Sequence, residues 1–289
     1  ATSFGYKNNI IIKKRMLDDI EFFVGETLIE TDLKSLTVAI SKDIARDFEL
    51  ADPRPPFDKL HKLTTAPQLH YTAHGFINGH RKSENAIQGF DLLILDCDGD
   101  APISMVKNLL EDYTFLVSTT KRHTADINRF RLILPMSHRI KLTPTEYSRF
   151  MTNVFEWIPF PVDAAAKDIA RKWASHPGHY EYNNGHVVDA TMFIPETKRS
   201  EEVKAQINAK GITNIERWFK THTTKGNRAN HLYRYGMVLI DSNTFTHIAE
   251  IVEKLEDFNN SLETPLPEEQ FRGSTVLSIS KEFQKRGGK

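Results

Sequence analysis

Leu92-Leu93-Ile94-Leu95-Asp96-Cys97-Asp98 is the stretch on which the reading of this chain turns. Four apolar residues run into two carboxylates one residue apart, and a short apolar run of this kind reads as a buried strand. Side chains alternate along a strand, so Asp96 and Asp98 point to the same side of the sheet. Two carboxylates held side by side repel each other unless something positive lies between them. Hard divalent cations, which take carboxylate oxygens as ligands, are the usual answer. The plain structural alternative is an acidic turn after a core strand, because Asp98-Gly99-Asp100 has good turn chemistry.

Working outward, the strand spans Gly89 to Asp98. A helix follows from Pro102 to Tyr113, then apolar strands at Tyr113 to Ser118 and Arg129 to Pro135. Thr143-Pro144-Thr145-Glu146 is a helix start: threonine caps, proline fits the first turn, and glutamate reaches back. Phe150, Val154 and Trp157 continue that helix on one face, and Pro159 and Pro161 stop it. Asp189 to Pro195 alternates like a strand. Upstream, Ile10-Ile11-Ile12 suggests a short strand. Ser35 to Leu50 reads as an amphipathic helix with Leu36, Ile40, Ile44 and Phe48 on one stripe.

After about residue 197 the pattern becomes helical. Ser200 to Lys210 reads as a polar helix closed by Gly211, and Thr213-Asn214-Ile215-Glu216 as a capping box. Helical patterns follow at Asn227 to Ile240, at Thr244 to Asn259 and after Pro265-Leu266-Pro267, and Lys285 to Lys289 reads as a flexible basic tail. The expected fold is α+β (mixed α/β): a central mixed or antiparallel sheet flanked by helices, followed by a small all-α domain. The expected boundaries are an α/β or α+β domain over 1–198, which the resemblance given below makes the catalytic one, a linker over 199–212 and a helical module over 213–289.

Composition narrows the function classes. With 39% hydrophobic and 26% charged residues, the 289-residue chain can bury a sizeable core. No apolar run reaches membrane-spanning length and no signal-peptide layout opens the chain, so a cytoplasmic, membrane-free protein is expected. Cys97 is the single cysteine, which excludes an intrachain disulfide and any multi-cysteine zinc site. No His-Glu-x-x-His pattern is present, and no zinc is expected. Lys+Arg and Asp+Glu both count 38, so no basic excess marks a nucleic-acid binder, although a basic groove can coexist with an acidic surface elsewhere.

Three further groups bear on chemistry. Asp163, after Phe160-Pro161-Val162, reads as the N-cap of a short helix over Ala164 to Trp173. Joined to Asp96 and Asp98, it can complete a three-carboxylate site for two cations, which such sites hold roughly 3.5–4 Å apart. Ser118-Thr119-Thr120-Lys121-Arg122-His123 follows a strand and offers donors to phosphate oxygens, or else forms a solvated polar loop. Arg129 and Arg131 share one side of the third strand and need an anionic partner, either a structural carboxylate or a phosphate.

The order of these motifs resembles the archaeo-eukaryotic primase superfamily, and within it the primase-polymerases of phages and plasmids. Asp96-x-Asp98 resembles the first motif, Ser118-x-x-Lys121-x-His123 leading into Asn128 to Pro135 the second, and Val162-Asp163 the third. Asp168-Ile169-Ala170-Arg171 is similar to the segment after the third motif. Gly226 to Asn230, Pro265 to Glu269 and Thr275 to Ile279 look like the helical primase C-terminal module. The resemblance covers roughly residues 75 to 285, and the zinc-binding insertion of several relatives is lacking. It implies an RRM-like sheet core and template-directed nucleotidyl transfer on single-stranded DNA. It implies two Mg²⁺ or Mn²⁺ ions on Asp96, Asp98 and Asp163. Ser118, Lys121 and His123 would contact the incoming NTP or dNTP, with Arg129, Arg131 and Arg171 as helpers on phosphate or template. A prokaryotic phage or plasmid setting, and a helicase domain or protein beyond residue 289, belong to the same implication.

Two rival readings stand beside it. Leu95-Asp96-Cys97-Asp98-Gly99 also matches the opening motif of haloacid-dehalogenase-type phosphatases, with Asp96 as nucleophile. However, Asp100 stands where that family expects threonine or valine, and no downstream acidic pair fits well. The other rival is a non-catalytic replication-initiator or single-strand DNA-binding domain, in which three gathered carboxylates would have no purpose.

Overall fold

The structure is a computed structural model that describes residues 28–195, Glu201 and residues 214–288. The strand expected at Ile10 to Ile12, the body of the helix expected at Ser200 to Lys210, the Thr213 cap and the linker at 199–212 lie outside the described residues, Glu201 apart. Its strands are β1 (Ile29–Glu30), β2 (Ala39–Ser41), β3 (Glu49–Leu50), β4 (His70–Thr72), β5 (Gly75–Phe76), β6 (Ala86–Ile87), β7 (Phe90–Asp98), β8 (Phe115–Thr119), β9 (Arg129–Ile140), β10 (Trp173–Ala174) and β11 (Tyr180–Asn183). The longer helices are α1 (Ile103–Leu110), α2 (Pro144–Trp157), α3 (Asn214–His222), α4 (Arg228–Asp241), α5 (Ile248–Ser261) and α6 (Leu277–Lys285). The chain is therefore mixed α+β.

The main sheet is built on β9, which pairs with β7 along one edge and with β8 and β1 along the other. β11 extends it beyond β8, and every pairing is antiparallel. β7 and β9 supply its apolar centre: Leu92 to Leu95 and Leu132 to Leu134 are all buried. At about 1.5–3 kcal/mol per buried aliphatic side chain, these residues commit the chain to this pairing. Two smaller antiparallel sheets accompany it, β10-β4-β2-β3 and the β5–β6 hairpin.

Register fixes which residues share a face. Asp96 lies opposite Arg131, Arg131 opposite Ser118, and Ser118 opposite Tyr180. Directly opposed residues of antiparallel strands share a face, so these four form one row across the sheet. The small sheet covers this face, with Arg131 over the ring of Tyr71 at 6.0 Å. The intervening residues, Cys97 and Val117 among them, face the other way and are buried. There α1 packs, and its Lys107 pairs with Glu181 of β11.

The helical segments dock behind α1, on the face away from Asp96, and share one hydrophobic core with the sheet. Gly236 of α4 makes close packing possible, since a Cβ there would stand 2.6 Å from Ile279 Cδ1 of α6. The last carbonyls of a helix lack intrahelical donors. Here Trp218 Nε1 donates to Leu109 O at 3.0 Å, and Arg234 donates to Asn108 O at 2.8 Å and Leu109 O at 3.2 Å. Arg234 is 2% exposed and also pairs with Asp112 at 2.8 Å and Glu111 at 3.0 Å. The helical region is thus wedded to α1 rather than standing beside the carboxylates.

Most expected elements are present, with the Thr143–Glu146 capping box formed by both of its hydrogen bonds. Four expectations are corrected. Ser35 to Leu50 is not a helix: it holds β2 and β3, because Thr37 N donates to both Asp91 carboxylate oxygens and ties the segment extended alongside β7. Ile44, placed on the supposed apolar stripe, is 61% exposed. Asp189 to Pro195 is a 3₁₀ turn over Ala190–Phe193, nucleated by Asp189 accepting from Thr191 N at 3.0 Å. The helix after Asp163 lasts only for Ala164–Lys167 before Trp173 enters β10. The basic end is anchored through Arg286, which pairs with Asp241 at 2.7 Å.

Replacing Arg234 by alanine should destabilise the protein by about 3 kcal/mol in urea unfolding, since it removes a buried side chain and strands two helix carbonyls that its guanidinium satisfies. Arg272→Ala, on an exposed pair with Glu256, should cost under about 1 kcal/mol. The same interface makes stability pH-dependent. Burial, then Arg234, lowers His231 to about 4, and burial also lowers His222. Burial alone would raise Asp112, but Arg234 and the two histidines hold it below its ordinary value. Between about pH 6.5 and 4 the unfolded chain binds protons that the folded chain refuses, so stability should fall as the pH drops through that window. Urea midpoints measured at pH 7.5 and 4.5 check this.

Candidate metal centre

Asp96 and Asp98 end β7 on one face, and Gly99, at φ 110°, turns the chain immediately after them. Only glycine takes that backbone region without strain. Asp163 arrives from a different direction. The proline-stopped segment after α2 runs along the outer edge of β7, where Asp163 N donates to Asp96 O at 2.9 Å. Its side chain caps the 3₁₀ turn by accepting from Ala165 N at 2.9 Å. The result places one carboxylate oxygen from each of Asp96, Asp98 and Asp163 within 4.8 Å of one another.

Arginines compensate the charge. Arg129 donates to Asp98 at 2.9 Å, and Arg171 to Asp163 at 2.8 Å. Arg122 stands 3.9 Å from Asp98. Asp96 is served less well: Arg131 Nε is 3.7 Å from one oxygen and Arg171 Nη2 3.9 Å from the other. Among the described residues, no donor hydrogen-bonds to the Asp96 carboxylate. Burial pushes this carboxyl above its ordinary value, Asp98 and Asp163 push it further, and Arg131 and Arg171 oppose them. Nearby, Arg131 Nε, Arg171 Nε, Tyr71 Oη and Trp173 Nε1 are buried without a hydrogen-bond partner. Buried donors left unpaired carry a desolvation cost of about 1–3 kcal/mol each, which a bound group rich in oxygen atoms would relieve.

This donor set fits a hard divalent cation. The oxygens are carboxylates, they are close enough to share one ion, and one of the three has no hydrogen bond to surrender. Of the residues singled out in the sequence, the structure brings Asp96, Asp98, Asp163, Arg129, Arg131 and Arg171 together, and Ser118 lies in the row of Asp96 and Arg131. Lys121 does not join them: it is exposed on the β8–β9 loop and, among the described residues, pairs with no acid. His123 is held by its own loop, Nδ1 accepting from Arg129 N at 3.1 Å. Tyr71 and Trp173 were missed. They come from the small sheet; nothing beside Tyr71 in the sequence marks it, and for Trp173 the one available signal was Arg171, two residues before it.

The chain matches no protein-family model and has no significant match among curated proteins or solved structures. Among the described residues, no helix is long and apolar enough to cross a membrane.

Linkage gives the site a test without any assay of activity. Because the folded state disfavours the ionised Asp96, the charged carboxylate costs stability above its raised pKa, and that cost vanishes as the pH falls below the unfolded value. Asp96→Asn should therefore stabilise the metal-free protein at pH 8, with the gain shrinking toward pH 4. Mn²⁺ at a hundred times its dissociation constant should stabilise the wild-type chain by about 2.7 kcal/mol and leave the variant unmoved. Thermal unfolding with EDTA and with Mn²⁺ reads both effects.

Proposed function

We propose that this chain is a nucleotidyltransferase of the primase-polymerase kind, extending and initiating strands on single-stranded DNA. The observation that carries this reading is the meeting of Asp163 with Asp96 and Asp98. Asp163 stands far along the chain from the other two, yet all three converge with arginines on a single sheet face. Two divalent ions, Mg²⁺ or Mn²⁺, bound by these carboxylates would lower the pKa of an attacking 3′-hydroxyl and neutralise the departing pyrophosphate.

The chain's own part is binding and charge. Arg131 and Arg171 each keep an Nε without a hydrogen-bond partner, so each has a donor for a phosphate oxygen. Arg131 stands in the row with Ser118, and Arg171 reaches the same side of the sheet through Asp163, so both donors lie on the carboxylate side, near Tyr71 and Trp173. Fixed donors in a water-poor site cost no reorganisation during reaction, which is where most such catalysis originates. Arg122 and Lys121 are exposed on the adjoining loop, where they would meet a triphosphate arriving from solvent. The helical segments serve mainly to brace α1, because the sheet separates them from the carboxylates.

The deciding experiment incubates the full chain with single-stranded DNA, labelled nucleotides and Mg²⁺ or Mn²⁺, with no primer. Labelled short products are expected, and Asp96→Ala with Asp98→Ala should reduce them by on the order of 10³-fold or more. Transfer of phosphate from a monoester onto Asp96 would instead mark a phosphatase. Absence of products alongside DNA affinity that the double variant leaves intact would mark a binding domain.

A further inference from the structure

On the outer face of the small sheet, cations gather with no acid, among the described residues, in ion-pair contact with them. The register of β4 with β10 pairs Tyr71 with Trp173 and His70 with Ala174. Alternation then sends Tyr71 and Trp173 inward, toward Arg131, and His70 and Lys172 outward together. Lys172 Nζ stands 3.3 Å from His70 Nδ1. Arg81 joins them from the segment after β5, its Nε donating to Ile44 O at 2.8 Å and its Nη1 to Ala170 O at 2.7 Å. Those two carbonyls fix the guanidinium but bring no countercharge.

The acids nearby are committed elsewhere. Asp43 accepts from Ala45 N and Arg46 N, both at 2.7 Å, and Asp168 accepts from Ser83 Oγ at 3.0 Å and Ala170 N at 2.9 Å. Among the described residues, no carboxylate oxygen lies within 4.0 Å of Lys172, His70 or Arg81. The strain shows in both titratable groups. Burial, then Arg81, Arg171 and Arg131, lowers Lys172. Burial, then Lys172 and Arg81, lowers His70, which Asp43 offsets only as the last contribution. In the free protein the neutral imidazole accepts from Lys172. A bound anion would let His70 take a proton, so that both side chains turn donor.

We propose that Lys172, His70 and Arg81 form a second anion subsite that binds a phosphate group, one sheet layer away from the carboxylate centre. An anion there would meet three donors-in-waiting and relieve a repulsion that Asp43 offsets only in part. Because Tyr71 and Trp173 lie between this face and the carboxylates, the position suits the phosphodiester backbone of a passing strand better than the tail of a nucleotide at the metals. The identity of that phosphate rests on the proposed function; the subsite itself does not.

The test uses the full chain in EDTA, so that neither metal nor catalysis contributes. The His70 imidazole is titrated by NMR alone, with pyrophosphate, and with a single-stranded oligothymidylate. Either ligand should raise the His70 pKa from its lowered value. A response to the oligonucleotide alone assigns a strand backbone, and saturation by pyrophosphate assigns a nucleotide tail. In parallel, Lys172→Gln with His70→Gln should weaken oligonucleotide affinity about tenfold at low salt. It should also flatten the slope of log K against log salt by about 0.7 for each phosphate that the variant no longer neutralises. An unmoved His70 titration with both ligands overturns the proposal, and the wild-type measurement stands even if the double variant folds poorly. Persistence of the subsite in a chain that incorporates no nucleotide would sink the proposed function and leave the subsite intact.

Discussion

Across β7 and β9, Asp96 faces Arg131 and Asp98 faces Arg129, and this exchange of charge lets the central strand end where it does. An acidic strand end at the edge of an apolar sheet would otherwise repel itself apart. Opposite charges set directly across an antiparallel pair stabilise register, whereas a one-residue slip would drive both aspartates into the apolar face that holds Cys97 and Leu95. Asp163 extends the same balance to a third carboxylate, and Arg171 travels with it on the same short segment. The tight turn at Gly99 follows directly on the acidic pair, and the 3₁₀ turn after Asp163 is capped by the third carboxylate.

The compensation is uneven. Asp98 and Asp163 hold direct hydrogen bonds from arginine, while Asp96, the most buried of the three, has cations only at longer range. A site designed purely for stability would give its best donors to its most buried acid. The inverted arrangement spends folding energy on a carboxylate kept free of hydrogen bonds, within a triad that could hold a metal ion.

Much of this was legible in the residues. The run of apolar side chains into Asp-x-Asp could only alternate one way, and the threonine, proline and glutamate before α2 left little choice about where a helix began. Asp163 could be suspected from type and position, but its distance from Asp96 depended on the chain passing along the edge of β7, which no local pattern encodes. The segment from Ser35 to Leu50 misled because Leu36, Ile40, Ile44 and Phe48 keep helical spacing by coincidence; the long-range hydrogen bonds from Thr37 to Asp91 overrode it. Tyr71, Trp173 and Arg234 were silent for the same reason: each acts on a residue dozens of positions away.

Cys97 stands between the two aspartates yet points to the opposite side, 1% exposed, with burial and then Asp96, Asp98 and Asp100 holding its thiol in the protonated form. It is chemically mute while β7 stays paired. A small thiol-reactive probe can reach it only when the strand lifts from its neighbours, so its rate of modification is a clock for the opening of the very segment that carries the carboxylates, read from a sulfur atom that takes no part in their chemistry.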